Sequence, residues 1–206
     1  MTVQKDLVHE HDRRGGAGRR DAFMNAALRR FARHGFAATS TRQICADLSI
    51  AHSAIYNYFP TKEAILLAIG ERDMTAIQAG LDAILDMTRS ESAVSRLRHA
   101  IRHTLIQAMD RRDSWRLLVD MLPSLAPRNR AIMIAHRDRF EATLRQVTQA
   151  AADEGSIAVD DVRMAVFHVL GIADGVGRWY DPKGPLSRDR IAEDTTVFLM
   201  RAFRPG

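Results

Sequence analysis

Apolar residues recur at three- and four-residue spacing along almost the whole chain, so the sequence reads as helices separated by well-marked breakers. Phe23, Ala26, Ala27, Leu28, Phe31 and Ala32 mark one face of a helix that starts near Arg19 and stops at His34-Gly35. A glycine there accepts the left-handed backbone that ends a helix. Ser40-Thr41-Arg42-Gln43 has the S-x-x-Q form of a capping box, in which two side chains satisfy orphan amides at a helix start. The short helix that follows is expected to bury Ile44, Cys45 and Leu48. Ser49-Ile50-Ala51 then makes a turn into a second short helix over about 52–59. Pro60 has no amide with which to continue it, and Thr61 caps the next. From there the spacing predicts helices over about 62–87, 91–111, 114–122, 127–154, 160–180 and 187–203. The breakers agree: Pro123, Pro127 in a first helical turn, Gly155, and the loop Asp181-Pro182-Lys183-Gly184-Pro185. No alternating strand pattern, internal repeat or low-complexity tract is present. The expected fold is all-α, with a flexible arm over 1–16, a helix-turn-helix domain over 17–64 and a second helical domain over 65–206.

Two short helices joined by a three-residue turn, behind a longer helix, are the arrangement in which the second short helix enters the DNA major groove. Ile44, Leu48, Ile50 and Ile55 form the small core that fixes the two helices, and His52, Ser53, Tyr56 and Asn57 point away from it. Those outward groups hydrogen-bond, and an asparagine suits adenine. Charge supports a polyanion partner. The chain has 206 residues and a net charge of +5. Residues 1–70 carry 10 Lys+Arg against 6 Asp+Glu, whereas 71–206 carry 20 against 19. The cationic excess is therefore local to the expected head, as DNA binding requires. Of the 30 basic residues 27 are arginine, a bias that more often reflects genome composition than function.

Phe31-Ala32-Arg33-His34-Gly35-Phe36, Thr41-Arg42-Gln43-Ile44 and Ile55-Tyr56-Asn57-Tyr58-Phe59-Pro60-Thr61-Lys62-Glu63 resemble the DNA-binding domain of TetR-family transcriptional regulators over roughly residues 17–66. The resemblance implies an all-helical homodimeric repressor on a palindromic operator, with a small-molecule inducer bound by the C-terminal helices. It implies that Tyr56 and Tyr58 touch phosphates and the groove wall. Thr41 and Arg42 would meet a phosphate at one helix, and Lys62 at another. Two positions depart from the family pattern. Ser49 stands where glycine is usual, and Ala51 stands where a Ser or Thr often caps the recognition helix; an alanine cannot cap.

The 160–180 helix is apolar on more than one side, with small residues Gly171, Ala173, Gly175 and Gly177 along it. Together with the 187–203 helix it suits a four-helix dimer contact, for which Val166, Leu170, Ala173, Gly177 and Phe198 are the candidates. Met74, Leu105, Met109, Trp115, Leu118, Met121, Leu122, Met133, Phe140 and Phe167 form a Met- and aromatic-rich set. Such a set is core in most proteins, and the resemblance makes it a candidate effector pocket. A ligand there would tilt the helix starting at Lys62 and change the spacing of the two recognition helices. Arg178-Trp179-Tyr180-Asp181-Pro182-Lys183-Gly184-Pro185-Leu186 resembles a segment of TetR regulators that answer to acyl-coenzyme A esters. Arg98, Arg102, Arg137, Arg139 and Arg178 are then candidates for the phosphates. A hydrophobic inducer without coenzyme A, such as a drug sensed by a regulator of efflux genes, is the alternative. A DNA-binding helical protein without any effector is another.

His99 and His103 stand at i and i+4, but no third ligand has a supporting spacing, so no metal or other cofactor is expected. An enzyme is not expected either: there is no glycine-rich phosphate loop and no nucleophile elbow. One cysteine cannot form an internal disulfide. The first twenty residues lack the apolar core of a signal peptide. No apolar run reaches the ~18 residues of a membrane helix. The expected compartment is the cytoplasm.

Overall fold

The structure, a computed structural model, describes residues 18–203 in full and residues 3–17 as backbone. The arm expected over 1–16 lies outside the fully described residues. Among the described residues eight α-helices follow one another: α1 (Val3–His34), α2 (Thr41–Asp47), α3 (Lys62–Met87), α4 (Ala93–Asp110), α5 (Arg112–Met121), α6 (Pro127–Asp153), α7 (Val162–Trp179) and α8 (Arg188–Ala202). Short 3₁₀ helices occupy His52–Asn57 and Leu122–Ser124. Among the described residues there is no strand, and the fold is all-α.

Punctuation sets the helix ends. Gly35 takes φ +81° and closes α1 by bonding the Phe31 carbonyl at 2.9 Å. Ser40 and Gln43 form the capping box of α2 in both directions. Thr61 Oγ1 accepts from the Ala64 amide at 3.0 Å and starts α3. Ser92, Asp161 and Ser187 do the same for α4, α7 and α8.

The chain folds as two compact units: residues up to Gly70 with Leu117–Leu125, and Glu71–Arg116 with Ala126–Gly206. Residues 117–125 thus join the first unit, although they lie in the sequence span expected for the second domain. In the first unit α1, α2 and the 3₁₀ segment enclose Phe23, Met24, Phe31, Ile44, Ile55 and Phe59, all 2% exposed or less. Leu48 and Ile50 are only half-buried, so Ile44 and Ile55 carry the seam expected of all four. Cys45 is buried in the same core, and burial raises its thiol pKa.

In the second unit α4 is central, packed against α6, α7 and α8. Leu97, Ala100, Ile101 and Leu105 of α4 meet a core that includes Leu144, Val147, Val166, Ala173, Ile191 and Leu199. Gly177 permits the closest approach of α7 to α4, because a Cβ there would stand 2.8 Å from the Ala108 carbonyl oxygen. Charged pairs join α4 to α8 at the surface: Arg98 with Glu193, Arg102 with Asp189, and Arg188 with Asp110.

Candidate functional site

The second helix of the helix-turn-helix is shorter and tighter than its expected 52–59 span. His52–Asn57 is a 3₁₀ helix whose first flanking residue, Ala51, makes no side-chain cap. The turn before it is closed by Ile50 N to Cys45 O at 3.0 Å and Ser49 N to Ala46 O at 3.1 Å. Ser49 adopts φ +54° to make this turn, a left-handed conformation that costs a serine more than the usual glycine. The uncapped start and the left-handed turn accompany a recognition element of six residues held by short-range bonds.

The head brings three of the expected DNA-contacting residues together. His52 Nε2 lies 3.0 Å from Thr41 Oγ1 and 3.3 Å from the Tyr56 hydroxyl. The His52 and Tyr56 rings meet edge to face with centroids 5.2 Å apart. Tyr56 is 50% exposed; Arg42, Ser53 and Asn57 are also exposed, while Thr41 and His52 are half-exposed. Arg30 holds Asp47 through two bonds of 2.5 and 2.7 Å, tying α1 to α2. That hydrogen bonding keeps the Asp47 carboxyl below the usual carboxylate range.

Two further residues of the expected set make contacts within the head. Tyr58 packs its ring against Phe23, with centroids 5.6 Å apart, and is half-buried. Lys62, expected to meet a phosphate, donates in this structure to the carbonyls of Phe36 at 2.7 Å, Thr39 at 2.8 Å and Ala37 at 3.3 Å. Its ammonium also stands 4.4 Å from the centre of the Phe36 ring. An ammonium has three protons, and these three carbonyls take them. Lys62 is therefore an internal brace of the loop between α1 and α2.

The second unit contains a cavity of about 30 Å³. It is lined by Met74 and Ile77 of α3, Thr104, Gln107 and Ala108 of α4, Trp115 of α5, Phe140 of α6, and Leu170, Ala173 and Asp174 of α7. Met74, Trp115 and Phe140 come from the expected pocket set. Leu105 and Met109 are buried outside the cavity wall, as is Met133. Leu118 and Met121 belong to the first unit, with residues 117–125. Phe167 does not line the cavity: it is 37% exposed, with the Arg163 guanidinium 5.2 Å from its ring centre. Arg178 is at the surface, paired with Asp174 at 2.9 Å. Asp174 also accepts from the Trp115 indole at 3.0 Å. Sequence reasoning passed over Asp174, yet a lone carboxylate inside the apolar α7 sequence is the signal that marks it.

The face of α7 expected to meet a second copy is largely turned inward. Val166, Ala173 and Gly177 are buried within the protomer, and Leu170 lines the cavity. Outward apolar side chains include Met164 (47% exposed), Phe167 and Trp179 (59% exposed) on α7, and Phe198 (62% exposed) on α8. Around Gly171, one helical turn beyond Phe167, there is open space. Both faces of α7 are apolar, and periodicity alone does not say which one α4 covers.

The arginines expected to hold phosphates are mostly engaged. Arg98 and Arg102 pair with Glu193 and Asp189, and Arg139 stands 3.6 Å from Asp82. His99 bonds Glu91, whereas His103 turns into the core and donates to the Ile77 carbonyl at 3.0 Å. The two imidazoles therefore do not converge on a metal position. Burial, above all, lowers the His103 pKa. No helix among the described residues is long and apolar enough to cross a membrane.

Comparisons with known proteins agree with this geometry. The family described as bacterial regulatory proteins, tetR family, matches residues 23–69. The tetracyclin repressor-like C-terminal domain matches residues 90–203, more than half of the chain. The HTH-type transcriptional repressor KstR2 of Mycolicibacterium smegmatis is 24% identical over 192 residues, 89% of this chain and 90% of its own length. A bacterial regulatory protein in the tetR family from Rhodococcus RHA1 is 25% identical in its solved structure and superposes with a TM-score of 0.83, over 91% of this chain and 97% of that one. AibR, solved in complex with isovaleryl coenzyme A and operator DNA, shares the fold with a TM-score of 0.76 and 24% identity, over 88% and 98% of the two chains. With a helix-turn-helix head at one end and the family's C-terminal helical domain at the other, the chain belongs to the TetR family of bacterial transcriptional regulators.

Proposed function

We propose that the chain is a repressor that binds a palindromic operator as a homodimer and leaves it when a small, mainly apolar molecule enters the second unit. One observation carries the DNA half of this reading. The hydrogen-bonding residues Thr41, Arg42, His52, Ser53, Tyr56 and Asn57, exposed or half-exposed, cluster on α2 and the recognition segment, within the part of the chain that holds the cationic excess. The KstR2 relative, itself a transcriptional repressor, supports the direction of control.

A palindrome demands two heads about 34–36 Å apart, and the face that joins two copies in this reading is Met164, Phe167 and Gly171 of α7 with Phe198 of α8. Apolar side chains of this size left open to water mark a contact surface.

The effector half rests on the cavity. At about 30 Å³ it holds a water or two, whereas small-molecule sites run to ~300–1,000 Å³. An effector therefore has to open it. An effector that binds the opened state and not the closed one has the differential affinity on which release from DNA depends. Met74, an unbranched and adaptable side chain, is the wall that yields most easily. An acyl-coenzyme A ester is one class within this reading, and the AibR complex supports it. It would have to compete for arginines that already hold carboxylates, so an apolar effector without phosphates is the first to test.

The experiment follows fluorescence anisotropy of a labelled duplex, selected from a random-sequence pool by the full-length chain. A series of neutral apolar compounds and acyl-coenzyme A esters is titrated into the complex. Release by at least one compound, together with a raised thermal midpoint of the free protein, supports the reading. Binding of DNA that none of them relieves would reduce the protein to a DNA-binding regulator without an effector of these classes.

A further inference from the structure

We propose that His52 is a positioning residue for DNA recognition: its imidazole holds the Thr41 and Tyr56 hydroxyls in the arrangement in which they meet the operator. This inference rests on the DNA-binding reading above and adds to it a residue that acts through others.

The recognition segment needs such a device. It is a single 3₁₀ helix of six residues, it has no side-chain cap at Ala51, and it leaves a turn in which Ser49 is left-handed. On its buried side only Ile55 is fully enclosed. A segment of that length does not hold its side chains still by its own backbone bonds. On its outer side one group links it to the neighbouring helix. His52 Nε2 reaches Thr41 Oγ1, the first residue of α2, at 3.0 Å, and reaches the Tyr56 hydroxyl, one turn on, at 3.3 Å. The edge-to-face contact of the two rings, 5.2 Å between centroids, fixes the plane of the tyrosine as well. Thr41 is itself held in register by the Ser40–Gln43 capping box immediately beside it. The chain of restraint thus runs from the α2 cap through Thr41 and His52 to Tyr56.

The stoichiometry of this cluster is unusual. A single ring nitrogen presents either one lone pair or one proton, so it serves one of the two hydroxyls fully at any moment. Thr41 has the shorter contact and Tyr56 the longer. The Tyr56 hydroxyl is therefore oriented without being fully occupied, and the half-exposed ring leaves it open to a phosphate or base edge. When DNA takes the tyrosine, Thr41 keeps the imidazole in place. Restricting a side chain to its bound arrangement before binding, without a competing bond that must be broken, raises affinity by lowering the ordering cost.

A double-mutant cycle separates this role from direct contact and from simple structure. Operator affinity is measured by anisotropy on the selected duplex for the full-length wild type, His52→Ala, His52→Gln, the pair Thr41→Val/Tyr56→Phe, and that pair combined with His52→Ala. The expected results are a loss of about fivefold for His52→Ala, the scale of one neutral hydrogen bond, and recovery of part of it by His52→Gln. In the Thr41→Val/Tyr56→Phe background, where no hydroxyl remains to be oriented, His52→Ala should change affinity less than twofold. Binding to a scrambled duplex, the salt slope and the thermal midpoint should stay at wild-type values, which a loss of the folded head would not allow. An equal loss on removing His52 in both backgrounds would overturn the proposal, because His52 would then touch DNA itself. A lowered thermal midpoint that accounts for the loss would also overturn it. If no duplex is selected by the wild type, the DNA-binding reading fails first, a result distinct from either.

Discussion

Replacing Lys62 by methionine separates an internal brace from a phosphate contact. The substitution keeps the aliphatic stem and removes the three donors. Lys62 Nζ stands 2.7, 2.8 and 3.3 Å from three carbonyl oxygens and 4.4 Å from the Phe36 ring centre. A hydrogen bond from a charged donor contributes about 1.5–3 kcal/mol when its partners are dry. Phe36 is only half-buried and Ala37 is exposed, so water recovers part of that loss. Two short bonds at about 1 kcal/mol each and a ring contact at about 0.5 kcal/mol give a loss of about 2–3 kcal/mol. For a chain of this size that lowers the thermal midpoint by about 4–12 °C, measured at a fixed protein concentration. Lys62→Arg should also lose stability, because a planar fork does not reproduce three donors converging on one loop. The slope of log affinity against log salt should be unchanged in either variant. A lysine seated on a phosphate predicts the reverse: stability within about 0.5 kcal/mol of wild type for Lys62→Met, and a slope reduced by about 0.9 per head. That pair of results would refute the brace.

Three further outcomes are expected. Gly177→Ala should be less stable than Gly175→Ala by about 1–3 kcal/mol in chemical denaturation. Both gain the same helix propensity, and only the Cβ at 177 meets the Ala108 carbonyl, at 2.8 Å; equal stabilities would contradict the packing of α7 on α4. His103→Gln should flatten the pH dependence of the thermal midpoint on the acid side of neutrality. The folded state holds His103 below the usual 6.5, so the unfolded chain binds the proton more readily. Wild-type stability then falls as pH drops from about 6.5 toward the depressed value and is level above it; identical profiles for the two proteins would sink this account. Phe167→Arg with Phe198→Arg should give a monomer in light scattering while leaving helical content unchanged, and a dimer that survives both changes would move the contact face elsewhere.

Much of the fold was legible because its boundaries are written in residues with local effects. Gly35, the Ser40–Gln43 box, Thr61 and Pro127 act on their own neighbours, and the helices end where they stand. The uncapped Ala51 and the serine at 49 were also visible, and they surface as a recognition segment that is 3₁₀ and short. Side-chain partners distant in sequence were not legible. Lys62 bonds carbonyls 23 to 26 residues earlier, and Trp115 meets Asp174 across 59 residues. Nothing in their local spacing marks either pairing. For α7 the difficulty was symmetry: with apolar groups on both sides, Val166 and Ala173 read the same as Met164 and Phe167 until α4 covers one side. The candidate DNA residues were legible as a group because they avoid the Ile44 and Ile55 face; that the hydroxyls of two of them, Thr41 and Tyr56, share one imidazole nitrogen of a third, His52, is a fact of geometry alone.

The claim on which the rest depends is that the recognition segment reads DNA sequence. Anisotropy of the full-length wild type and a Tyr56→Ala/Asn57→Ala variant, each on the selected duplex and on a scrambled one across a salt series, tests it most directly. The account predicts that the wild type prefers the selected duplex by roughly 10³-fold or more and that the variant keeps its salt-dependent binding to both duplexes but loses the preference. A variant that still discriminates as the wild type does would contradict it.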